Sequence, residues 1–202
     1  MSSDLARFVE SVRGTDPAWR ENVDLEALSR LKDEDLRAAQ DLLIERIDLD
    51  DWRAPPALAA SVTRGGVAPM KRRLPLTKGR MKIAIARALV ELGALPRADE
   101  LVAEVLREGD PDSGLTALVA AEEMRSEPIT RALAWASLHH PDPDTRANAG
   151  ATLLFMADLA PDALAWNLRH VYLPLAEADP KVRYAAYEKI CEHVGMPPET
   201  AG

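Results

Sequence analysis

Four histidines, one cysteine and several clusters of acids are the side chains in this 202-residue sequence that could do chemistry. A metal site needs ligands converging from one face. His139-His140, His170 and His193 supply neither an H-x-x-x-H nor an H-E-x-x-H spacing. His139-His140 stands just before Pro141, where a cation at a helix end complements the backbone dipole. Asp48, Asp50 and Asp51 invite a calcium-loop reading, but no glycine or distal glutamate follows at loop spacing. They suit the end of one helix and the cap of the next. Gly65-Gly66 and Gly79 lack the lysine and spacing of a phosphate-binding loop. Neither a serine nor Cys191 sits in a motif that would activate it. A lone cysteine excludes an internal disulfide and fits a small packed residue in a reducing compartment. The expectation is therefore no catalytic residue, no metal and no cofactor.

Charge is more informative. The net charge of −8 hides three blocks: residues 1–60 carry −6, residues 61–100 carry +6, and residues 101–202 carry −8. No acid occurs between Asp51 and Glu91, while Lys71, Arg72, Arg73, Lys78 and Arg80 bracket a turn at 74–77. An anion or acidic partner could dock on this patch, within a basic band over 64–87. Equally, the band could pair with the acidic N-terminal segment. The overall acidity disfavours nucleic acid, which needs clustered cations along an extended surface. Aromatic residues make up only 4% of the chain, so Trp19, Trp52, Trp135 and Trp166 stand out and are expected to anchor the core.

The elements that must position these residues are helical. Thirty-four alanines and 27 leucines favour helix, and the shortage of β-branched residues argues against an extensive sheet. The longest uncharged stretch, 147–157, falls short of the roughly 20 residues a membrane-spanning helix needs. Charges at the N-terminus interrupt any signal-peptide core. A cytoplasmic location is expected.

The helices repeat. Asp142-Pro143-Asp144-Thr145-Arg146-Ala147-Asn148-Ala149 aligns without gaps on Asp179-Pro180-Lys181-Val182-Arg183-Tyr184-Ala185-Ala186. A third copy starts at Asp110-Pro111, with Gly114 in the arginine position, and weaker copies centre on Lys82 and Arg53. The centres at 53, 82, 114, 146 and 183 lie 29, 32, 32 and 37 residues apart, and Pro96, Pro128 and Pro161 keep the same period. The spacing predicts helix pairs at 33–47 and 51–62, 66–75 and 80–92, 96–108 and 112–124, 128–139 and 143–158, and 161–176 and 179–194. Residues 1–32 form a helical cap, 33–195 a single array, and 196–202 a tail.

The pattern Asp-Pro-x-(Thr/Val)-Arg-x-x-Ala, with Leu153 or Ile190 four residues on, resembles the HEAT-repeat superfamily. The likeness is strongest over 96–194. It implies an all-α, right-handed α-solenoid of about five helix pairs, in which turn Asp and following Arg (Asp142, Arg146, Asp179, Arg183) form a ladder between repeats. Second helices of such solenoids line a concave face. Nine residues beyond three repeat centres stand Glu91, Glu123 and Glu192, with Asn148, Thr152 and Lys189 nearby, a candidate groove for a basic protein. The resemblance extends to small bacterial HEAT-like proteins, including immunity proteins that neutralise a toxin by direct binding. The implied function is non-catalytic protein binding. Alternatives are a DNA-alkylation-repair glycosylase of HEAT-like fold, or a scaffold for a bacterial enzyme complex. Oligomeric state has no marker in the sequence.

Overall fold

The computed structural model describes residues 2–61, 64–162 and 165–202. Among the described residues, twelve α-helices and several short 3-10 turns account for the regular structure, with no strand. The chain is all-α. By its contacts it divides into two compact units, 1–98 and 99–202.

In the first unit, α1 (Ser3–Arg13) packs on α2 (Leu25–Arg30) and on α3 (Asp33–Asp48). Then α4 (Ala54–Ala60) and α5 (Val67–Arg73) pack on α3, and α6 (Gly79–Glu91) packs on both α4 and α5. Phe8, Leu43, Ile47, Leu58, Met70, Ile85 and Leu89 are fully buried at the centre. Gly79 stands where the stronger repeat copies have an acid ahead of the helix, and the chain enters α6 there with φ +52°, a conformation glycine adopts without strain.

In the second unit, α7 (Asp99–Glu108) packs on α8 (Pro111–Glu122) and α9 (Glu127–His139). Next, α10 (Pro143–Met156) packs on α8, α9 and α12 (Pro180–Val194). The stretch before α12 is broken into 3-10 turns around the short α11 (Arg169–Tyr172), where a continuous helix over 161–176 is expected. Pro174 is the reason for the second break: it lacks an N–H and its ring would clash with the carbonyl four residues back. Ala163 and Leu164 of that expected helix, like Val62 of an earlier one, lie outside the described residues. The last turn, Pro198–Ala201, docks on α9.

Proline opens α8, α10 and α12 at the first position, where its missing N–H costs nothing. Asp142 caps α10 by accepting from the Thr145 N–H at 2.7 Å, and Asp179 caps α12 through the Lys181 N–H at 2.9 Å. Asp110 departs from this: it accepts from the Ser113 hydroxyl and makes no backbone cap. At four-residue steps, Ser113, Ala117 and Ala121 on α8 and Thr145, Ala149 and Leu153 on α10 form stripes that are all buried. On α12, Ala186 and Ile190 are buried but Val182 is exposed.

The arginines of the repeat position correct one implied feature. Arg146 makes no ion pair with Asp142 or Asp179. Its Nε donates to the Leu175 carbonyl at 2.8 Å and Nη2 to Ala176 at 3.1 Å, while Nη1 donates to His140 at 2.8 Å and Pro141 at 3.1 Å. Arg146 thus joins the end of α9 to the 3-10 turn at 173–176 through an arginine fork on helix-end carbonyls, which otherwise lack intrahelical donors. Arg183 repeats half of this on Glu177 and Ala178, at 3.1 and 2.8 Å. Arg53 does the same in the first unit. It reaches the Ser11, Val12 and Trp19 carbonyls while its fork grips Asp51 at 2.8 and 2.6 Å.

Candidate functional site

The second unit sets three of the expected second helices side by side, α8 against α10 and α10 against α12. Glu123 closes α8, Glu192 lies in the last turn of α12, and Lys189 precedes it by one turn; all three are exposed. Asn148 on α10 is half-buried. Thr152 is buried, packed inside the unit rather than presented on its surface. Glu91 is the exposed last residue of α6 and belongs to the first unit.

One surface feature of α8 has no counterpart among the expected site residues. Leu115 is 64% exposed and Val119, one turn on, 50% exposed. They stand two residues out of phase with the buried Ser113–Ala117–Ala121 stripe, so they mark a second apolar line on the same helix. That line runs into Glu122 and Glu123. Burial of the Glu122 carboxyl, followed by the neighbouring Glu123 charge, raises its pKa above the ordinary carboxylate range. An apolar contact that leads into paired acids suits the hydrophobic-plus-basic surface of another protein.

The basic patch divides. Arg73 pairs with Asp50 at 2.8 Å, and Arg80 pairs with Glu21 while its guanidinium lies over Trp52, 3.3 Å from the ring centroid. These two cations serve the first unit's own acids. Lys71, Arg72 and Lys78 are exposed and make no ion pair among the described residues. A duplex-binding surface needs a longer run of free cations than these three.

Of the tryptophans, Trp19, Trp52 and Trp135 are half-buried, the last beside His139 with centroids 5.7 Å apart. Trp166 corrects the expectation of a core anchor: it is 76% exposed. Its place in the broken stretch before α11, rather than on a continuous amphipathic helix, leaves its ring outside the packed layer.

Cys191 is a buried free thiol whose pKa burial pushes up, so it is a poor nucleophile. Among the described residues no cluster of His, Cys, Asp and Glu could hold a metal ion, and no helix is long and apolar enough to cross a membrane. An open surface cleft of about 360 Å³ lies between the α9 N-terminus and the ends of α10 and α12, lined by Ser126, Thr130, Met156 and Met196. Its titratable lining groups are Arg125, paired with Asp158 at 2.8 Å, and Glu127, paired with Arg131 at 2.9 Å. No protein-family model, curated protein or solved structure matches the chain.

Proposed function

We propose that this chain is a non-catalytic protein-binding module, a right-handed HEAT-like α-solenoid of about five helix pairs with residues 1–32 as its cap. It holds a basic partner against its second helices. The observation that carries the reading is α8, where exposed Leu115 and Val119 lead into Glu122 and Glu123, with Glu192 exposed on the same layer of helices. Exposed apolar side chains supply affinity and the acids steer a cationic surface into register. The Asp-Pro turns and arginine forks that join successive helix pairs support the repeat architecture.

The narrower form of the proposal is an immunity protein in a reducing cytoplasm, neutralising a basic toxin domain by direct binding. Co-expression with a toxic basic domain encoded beside this chain tests it. The expected result is protection of the host and a complex that survives gel filtration at low salt and weakens as salt rises. Unprotected cells and separate elution at low salt overturn the immunity reading. A glycosylase or a scaffold role gains nothing specific from the geometry, since two cations of the basic band are already paired.

A further inference from the structure

The two units carry charge of opposite sign. Residues 1–98 hold 17 bases and 15 acids, a net charge of +2, and residues 99–202 hold 8 bases and 18 acids, a net charge of −10. Each unit also exposes an apolar contact set between charges of its own sign. In the first, the 3-10 turn Leu74–Leu76 joins α5 to α6 and leaves Leu76 71% exposed. Lys71 and Arg72 stand exposed before it in the last turn of α5, and Lys78 stands exposed after it at the head of α6. None of these three cations makes an ion pair among the described residues, so their charge is unspent within the unit. In the second unit, Asp112, Leu115, Val119 and Glu123 recur along α8 at three- and four-residue steps. All four are exposed, so one side of the helix shows two apolar side chains with an acid at each end. A leucine between cations and an apolar pair between acids are complementary in both respects.

We propose that the turn at 71–78 of one copy of this chain docks on α8 of a second copy. Leu76 rests against Leu115 and Val119, while Lys71, Arg72 and Lys78 meet Asp112 and Glu123. The inference rests on the reading of α8 as a face for basic partners and makes a second copy one of them. Charge selects this occupant. The unit that holds α8 is strongly acidic and draws a basic surface, and 71–80 is the densest run of bases in the chain, with no acid between Asp51 and Glu91. The like net charge of two copies opposes association. Exposed charges farther apart than about 8–10 Å are largely screened at physiological salt, however, so the facing patches decide. The contact joins two different surfaces, so each copy offers both halves and the assembly grows head to tail unless it closes into a ring. It also covers α8, so an outside basic partner must displace the neighbouring copy.

The test is sedimentation velocity of the full chain over about a hundredfold range of concentration, at low salt and at about 0.3 M. The parent's mean sedimentation coefficient is expected to rise with concentration at low salt and to stay at the monomer value at high salt. Lys71→Glu/Arg72→Glu and Asp112→Lys/Glu123→Lys should each stay monomeric alone, with circular dichroism showing that both are folded. Mixed in equal amounts they again present opposite charges to each other, and association should return. Leu76→Ser should weaken the parent's association about tenfold at unchanged melting temperature, because the side chain it replaces is exposed. A parent that is monomeric at every concentration, association that ignores salt, either charge variant associating as the parent does, or a mixture of the folded variants that stays monomeric overturns the proposal. Binding of an outside basic protein is measured separately in Lys71→Glu/Arg72→Glu, which keeps α8 intact, so the reading of α8 stands or falls independently of self-association.

Discussion

The single side chain that does most in the second unit is Arg146, only 8% exposed, whose five N–H groups serve four carbonyls on two helix ends. Removing it leaves buried acceptors without donors, so Arg146→Ala should destabilise the unit by roughly 2–4 kcal/mol in chemical denaturation. Arg183→Ala, whose bonds face solvent, should cost no more than about 0.5 kcal/mol. Equal losses in the two variants would contradict the burial argument. Beside Arg146, the His140 imidazole is 1% exposed and accepts the Asp142 N–H on Nδ1 at 3.1 Å, so the proton sits on Nε2. Burial lowers the His140 pKa, against the opposing pull of Asp142, and the Arg146 charge lowers it further. The unfolded chain then binds a proton at higher pH than the folded one. Stability from His140 is complete above its ordinary 6.5 and is lost as pH falls through the lowered folded value. Melting temperature should decline from pH 7 to 5, and His140→Asn should flatten that decline. An identical slope in the variant would refute the assignment. The arginine position was legible in the sequence as a repeat marker. Its carbonyl partners were not, because they belong to helix ends whose approach depends on packing.

At the scale of elements, helix starts were the most legible feature. Asp-Pro at 110, 142 and 179 and Pro128 mark four of them, since proline fits the first turn and an acid ahead of it can accept free N–H groups. The breaks before α12 do not follow from the proline period: Pro161 keeps that period, but Pro174 falls inside the expected helix and interrupts it. Gly114 shows how a departure from the repeat can have a packing cause. A Cβ there would stand 2.9 Å from Thr145 Oγ1, and that hydroxyl is held by Asp142 at 2.6 Å and cannot readily turn away. Restoring the repeat with Gly114→Arg should therefore destabilise by about 1–3 kcal/mol despite the better helix propensity. A melting temperature at or above the parent's would show that α8 and α10 have room the geometry denies.

Over the whole molecule, the net charge of −8 is a poor guide until it is divided. Part of the basic band is consumed by Asp50 and Glu21, leaving Lys71, Arg72 and Lys78 in solvent, while Glu123 and Glu192 stand exposed. The division at Ala98 has no marker of composition, because the same proline-punctuated pattern runs through it. The exposed acids of the second helices were legible from their nine-residue phase, but Leu115 and Val119 were not, since alanine-rich helices carry apolar residues on every side. The proposal that these second helices hold a basic protein is tested most directly by the salt dependence of affinity for that partner in the parent chain and in Glu123→Lys/Glu192→Lys. The parent should bind tightly at low salt and lose about tenfold or more by 0.3 M, and the charge-reversed chain should bind at least about tenfold more weakly at low salt with an unchanged melting temperature. Affinity that ignores both the salt and the two substitutions would contradict it.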